Sequence, residues 1–153
     1  MRFHATWSVV RLFGLPLFML LWQATPYAHD DHKANAAPAK VDRVVAITAS
    51  DTQYDIPGID VKAGETIRFV VTNKGQVTHE FVIADAAEQA EHEKMMQSMP
   101  GMVMSGEENA IALKPGETKQ LIWKATAQGI IEFACHQPGH YALGMVGKIR
   151  VKS

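Results

Sequence analysis

The chain has 153 residues and one cysteine, which two histidines and a methionine follow closely in the stretch FACHQPGHYALGM, residues 133–145. A single thiol has no internal disulfide partner, so Cys135 is a free reactive thiol, an intermolecular bridge or a metal ligand. His140 comes five residues after Cys135, and Met145 five after His140. A thiolate, an imidazole and a thioether on one loop form a set of soft and borderline donors, which suits copper in both oxidation states. A trigonal site of this kind needs a second imidazole from elsewhere. His79, inside a strand-like run at residues 77–84 (VTHEFVIA), is the natural candidate.

Each of these residues also has a plain reading. Cys135 can be a small buried hydrophobe, Met145 a core filler, and His79 a core histidine bonded to a carbonyl. All four in this order, on this strand pattern, favour the metal. His136 directly follows Cys135, so strand alternation sends its side chain to the opposite face and out of the site. The competing chemistry is a thiol enzyme, with Cys135 as nucleophile and His136 or His140 as base. It finds no glycine motif for an oxyanion hole and leaves Met145 without a role, so a non-enzymatic protein is expected.

The elements that must position these residues are short. Strand-like runs occupy residues 41–49, 66–72, 77–84, 110–113, 118–125, 130–135 and 146–152, with a further piece at 59–61. Ile67, Phe69 and Val71 alternate with Thr66, Arg68, Val70 and Thr72, as in a strand with one wetter face. The near-identical segments KAGET (62–66) and KPGET (114–118) are turns that feed strands. Seven or eight short strands in about a hundred residues predict an all-β, antiparallel Greek-key sandwich. Two of its neighbouring strands can bring His79 and Cys135 to one end, with the loop folding His140 and Met145 over the metal.

One segment breaks the pattern. Residues 85–99 (DAAEQAEHEKMMQSM) are rich in helix formers, Asp85 with Glu88 forms a capping pair, and Pro100-Gly101 stops the run. This is a helical insertion, methionine-rich over about residues 85–104. His92, Met95, Met96 and Met99 follow helical spacing along one face, and Met102 and Met104 come after. Such a stripe either packs on the sandwich or offers thioethers to Cu(I) as a weaker second site.

The N-terminus has its own signature. Arg2 and Arg11 flank a short n-region, and residues 12–22 (LFGLPLFMLLW) form an uncharged apolar run too short to span a bilayer. This predicts a signal peptide cleaved after Ala28, and hence an exported, periplasmic protein with no stable membrane association after cleavage. Residues 29–40 (HDDHKANAAPAK) read as a flexible leader, with His29 and His32 as further copper-attracting groups, and residues 41–153 as the folded domain. Cleavage leaves thirteen basic residues against sixteen acidic ones, a net charge of −3. That balance argues against a nucleic-acid partner. A monomer is expected.

The motifs THEF around His79 and CHQPGHYALGM resemble those of the cupredoxins, the family of plastocyanin, azurin and auracyanin. The resemblance covers roughly residues 41–152. It implies a type 1 site for one Cu(I)/Cu(II) ion per chain, with His79, Cys135 and His140 as equatorial ligands and Met145 as the weak axial one. A binuclear centre of the oxidase type needs a second cysteine in the loop, and a copper nitrite reductase needs a second domain. One departure concerns the residue after the first ligand, an asparagine in plastocyanin and azurin and Glu80 here, so the hydrogen bonding around the site must differ. HEF at His79 followed by EHEKMMQSMPGM is more similar to the periplasmic copper-tolerance cupredoxins. The function this implies is copper handling and tolerance, with a copper-donor protein or redox partner docking on the rim of Pro138, Tyr141, Ala142 and Leu143. The alternative is a diffusible one-electron carrier.

Overall fold

A computed structural model describes residues 40–99 and 108–153. The expected signal peptide, the expected leader as far as residue 39, and Met102 and Met104 lie outside them. The described residues form nine strands and one helix: β1 (Arg43–Ser50), β2 (Gln53–Tyr54), β3 (Gly58–Lys62), β4 (Thr66–Asn73), β5 (His79–Ala84), α1 (Ala86–Ser98), β6 (Ala110–Leu113), β7 (Thr118–Lys124), β8 (Gly129–Ala134) and β9 (Val146–Lys152). The strands make two sheets, in the orders β2-β1-β4-β7 and β3-β9-β8-β5-β6. This is the expected β-sandwich, with one strand more because Gln53 and Tyr54 make a two-residue pairing with the end of β1.

The expectation of a wholly antiparallel arrangement is corrected. β1 runs parallel to β4, and β3 runs parallel to β9. The chain leaves β1, passes through β3 in the opposite sheet and returns to β4, so the neighbours β1 and β4 are not joined by a hairpin. Such crossovers permit parallel pairs.

The sandwich closes on apolar side chains alternating along its strands. β4 buries Ile67, Phe69, Val71 and Asn73 and leaves the intervening residues half exposed. Phe81 of β5 and Phe133 of β8 lie with ring centroids 5.2 Å apart, and Tyr54 meets Phe81 edge-on at 5.7 Å. Fully burying a side chain of this size contributes roughly 1.5–3 kcal/mol. Gly147 of β9 lies opposite Phe133, and a Cβ there would sit 2.0 Å from the Phe133 ring.

α1 starts as its sequence predicts. The Asp85 carboxylate accepts from the N–H groups of Ala87 and Glu88, while the Glu88 side chain accepts from the Asp85 N–H, a complete capping box. Its sheet-facing residues are Gln89 and Met96, both buried. Met95 is half-buried and Met99 is 43% exposed, so of the stripe at 95, 96 and 99 only Met96 packs fully into the protein. Among the described residues no helix is long and apolar enough to cross a membrane.

Candidate metal centre

Antiparallel pairing of β5 with β8 matches Val82 to Ala134 and Ala84 to Glu132. The first residue of β5, His79, therefore lies at the end of the sheet where β8 finishes and Cys135 follows. β9 pairs with β8 on its other side, matching Ala134 to Val146, so Met145 arrives at the same end. One backbone bond ties the two, the Cys135 N–H donating to the Met145 carbonyl at 3.1 Å. The alternation that points Phe81 and Phe133 into the core points His79 and Cys135 the same way.

The loop between Cys135 and Met145 is wound on its own backbone. His140 N–H donates to the Gln137 carbonyl at 2.9 Å, Leu143 N–H to Gly139 at 3.0 Å, and Met145 N–H to His140 at 3.0 Å. Gly139 and Gly144 have φ of 84° and 90°, left-handed values that glycine adopts without steric cost. The result brings His140 back over Cys135.

Three candidate ligand atoms converge. Sγ of Cys135 lies 3.5 Å from Nδ1 of His140 and 3.8 Å from Nδ1 of His79. All three atoms fall within 4.8 Å of one another, and they are the one such group among the described residues. Donors held about 2.0–2.3 Å from one small ion sit roughly this far apart. Met145 is fully buried beside them in the core. Nε2 of His79 is buried and has no hydrogen-bond partner, which leaves its ring held by packing and by whatever Nδ1 binds. The sulfur is not alone: the Glu80 N–H donates to it at 3.3 Å. The donor set and its spacing fit copper.

The electrostatics are those of a dry pocket. Burial pushes the Cys135 thiol up to about 11, against the lowering pull of the Glu80 and Gln137 N–H groups, and the Glu80 and Glu93 carboxylates push the same way as burial. Burial also lowers His79, helped by the nearby His140 and opposed by Asp51, and lowers His140, again opposed by Asp51. Both rings are thus neutral near pH 7, the form that binds a metal.

The burial of several residues that shape the site carried no signal in the sequence. Asn73, at the end of β4, is fully buried. Its side-chain amide donates to the carbonyls of Val77 and Leu113 at 2.8 and 2.9 Å and accepts from the Gly75 N–H at 2.8 Å. It thereby fixes the turn that leads into His79. Glu80 is also fully buried, and its carbonyl accepts from the Tyr54 hydroxyl. His136 points away from the ligand cluster, as strand alternation requires, but into the protein rather than into water. A polar residue in a strand ordinarily signals an exposed face; here the inserted helix covers that face.

The copper-binding protein family of plastocyanin and azurin matches this chain over residues 41–152. A copper-resistant cuproprotein, CopI, of Rubrivivax gelatinosus is 38% identical, with 84% of this chain and 80% of the relative covered. CopI of Pseudomonas aeruginosa is 33% identical over 89% of this chain and 91% of the relative. Among solved structures, a dithionite-reduced auracyanin from Roseiflexus castenholzii superposes with a TM-score of 0.64 at 25% identity, covering 74% of this chain and all of that one. Copper is the ion this fold and donor set serve, and the chain belongs to the copper-binding plastocyanin/azurin family, the cupredoxins.

Proposed function

We propose that His79, Cys135 and His140 hold one copper ion per chain, with Met145 as a weak axial ligand, in an exported protein that handles copper and confers tolerance to it. The observation that carries this is the convergence of the two imidazoles and the thiol within 4.8 Å. Bound copper would supply a Cu(I)/Cu(II) couple. The chain's own contribution is to exclude water, to present a thiol that the Glu80 N–H steadies, and to hold both rings neutral. The tolerance role rests on the two CopI relatives, each matched over four fifths or more of both chains. The periplasmic location rests on the charged, apolar and small-residue pattern of residues 1–28. No enzymatic activity is part of the proposal.

Copper titration with an absorption spectrum tests the site. A strong thiolate-to-copper band in the wild type, abolished in Cys135→Ser, is the expected result; its absence from the wild type refutes the site. Deleting the gene and measuring growth on copper tests the role. Loss of tolerance is expected, and normal tolerance would refute it.

A carrier role for electrons has one observation in its favour. Leu143, three residues after half-buried His140 on the same loop, is 70% exposed and gives a partner an apolar place to dock. Lost respiratory electron flow in the deletion strain, with copper tolerance intact, would favour that reading. The proposal also includes a weaker second ion at α1. His92 and Met95 line a cavity of about 310 Å³ together with Glu88 and Glu91. Replacing Met95 with leucine should lower the Cu(I) stoichiometry without touching the thiolate band, and an unchanged stoichiometry would remove the second ion.

A further inference from the structure

Residues 80 and 136 stand immediately after the two buried ligands His79 and Cys135, and alternation turns both towards the opposite face of the sheet. Both meet α1 there. Nδ1 of His136 lies 2.8 Å from Oε2 of Glu93, and its Nε2 lies 2.6 Å from Oε1 of Gln89. The Gln89 amide nitrogen donates to the Val82 carbonyl of β5 at 3.0 Å and to the Glu132 carbonyl of β8 at 3.3 Å. One helical side chain thus stitches together the two strands that deliver the ligands. Nε2 of His92 lies 3.4 Å from Oε2 of Glu80.

The contacts continue around His136. The His92 ring stands edge-on to it at 4.7 Å, and Tyr141 of the ligand loop stacks on it at 4.8 Å. The Tyr141 hydroxyl donates to Glu132 at 3.1 Å. Gln89, His92 and Glu93 occupy one face of the helix at i, i+3 and i+4. Glu80, Gln89 and His136 are all fully buried. Polar groups in such a place are costly unless paired, and an apolar seam would seat a helix with less demand on geometry. What a paired network adds is a unique arrangement, here of the residues next to both ligands.

We propose that α1 is a rear clamp on the copper centre, with Gln89, His92 and Glu93 as positioning residues that act through His136 on Cys135 and through Glu80 on His79. The clamp rests on the copper reading above. It holds the Cys135 backbone through His136, and it holds the Glu80 peptide whose N–H bonds the ligand sulfur. Partners of this kind are worth about 10- to 100-fold in metal affinity where they orient ligands.

The test compares Glu93→Gln, Gln89→Met and, as a control on the exposed side of the same helix, Lys94→Ala. In copper-loaded protein, the first two should change the relative strengths of the thiolate-to-copper bands, shift the reduction potential and weaken copper binding about tenfold or more. Lys94→Ala should match the wild type. In copper-free protein, the Glu80 amide should exchange its hydrogen faster in the first two variants only. If Gln89→Met fails to fold, Glu93→Gln carries the comparison, since that carboxylate lies at the edge of the network. Bands, potential and Glu80 exchange all unchanged, with only the melting temperature lowered, would reduce the helix to packing and overturn the clamp. A wild-type protein without a thiolate band would sink the copper assignment and the clamp together, so the two failures are distinguishable.

Discussion

The backbone N–H of Glu80 points at Sγ of Cys135 from 3.3 Å, a bond between residues 55 apart that joins the start of β5 to the end of β8. It gives the ligand sulfur a donor without bringing any water to it. It also shows how the departure at position 80 is accommodated: the backbone serves the sulfur, while the carboxylate turns away towards His92. The residue type after the first ligand can therefore differ from asparagine without loss of that bond.

One consequence is a proton count. The buried thiol is raised to about 11, so the metal-free protein carries it protonated at pH 7, whereas both histidines are lowered and already neutral. Copper can bind the thiolate only by displacing that one proton. Between pH 7 and 9, binding should release about one proton per ion, and apparent affinity should fall roughly tenfold for each pH unit of acidification. Calorimetry in buffers of different ionisation enthalpy measures the release; a value near zero would mean that the thiolate is already formed.

The histidines give a second pH dependence, in the stability of the copper-free protein. His79, His136 and His140 all sit below their ordinary value of 6.5, chiefly because burial disfavours the charged ring. Below that value the unfolded chain binds protons that the folded chain does not, so stability falls with acid until the folded-state values are passed. Urea midpoints should therefore be level between about pH 7.5 and 8, drop steadily below 6.5, and fall again above about 8.5, where the unfolded chain loses the thiol proton that the fold keeps. Copper should raise the midpoints at neutral pH but steepen their fall in acid, because ligated rings and thiolate take no proton in the fold while the unfolded chain takes them. A midpoint that rises on acidification below about pH 6.5 would show that these rings are charged in the fold.

The sequence made the candidate ligand loop legible because its information is local. Cys135, His140 and Met145 lie on one short segment, and the wetter and drier faces of β4 alternate visibly at Ile67, Phe69 and Val71. The capping box at Asp85 and Glu88 is equally local. What could not be read depends on contacts far apart in the chain. Gln89 and His136 meet across 47 residues, and Asn73 reaches Leu113 across 40. Neither residue type announces burial, and the methionines drew attention to the helix face one turn beyond the polar one that seats it. The parallel pairs β1–β4 and β3–β9 were hidden for the same reason, since direction within a sheet is set by crossovers rather than by alternation.

Gly147 offers a test of the packing behind the loop. A Cβ at this position would lie 2.0 Å from Cζ of Phe133 and within 2.6 Å of two more ring atoms. Phe133 cannot withdraw easily, because Tyr54 and Phe81 lie against it with ring centroids 5.2 Å away. Gly147→Ala should destabilise the protein by about 1–3 kcal/mol, the usual cost of overpacking a tight core. Equilibrium urea unfolding would read this directly, and a neutral result would show that the aromatic cluster has room to shift.

Gly75 should behave differently, because what it spares is a ligand. A Cβ there would lie 2.8 Å from Nε2 of His79 and 2.7 Å from Oδ1 of Asp51. Asp51 accepts from the Gln76 N–H, and Asn73 holds the Gly75 N–H, so the turn is pinned on both sides and has little freedom to retreat. The strain then passes to the imidazole, whose Nε2 has no hydrogen bond to resist it. Gly75→Ala should shift the thiolate-to-copper absorption and weaken copper binding by about tenfold, the scale of a misdirected ligand. The fold should lose little, since the phenyl cluster is untouched. Copper affinity from a chelator competition, set beside the urea midpoint of the copper-free protein, separates the two effects. A large stability loss with an unchanged spectrum would mean that the turn, and not the ring of His79, absorbs the added methyl group.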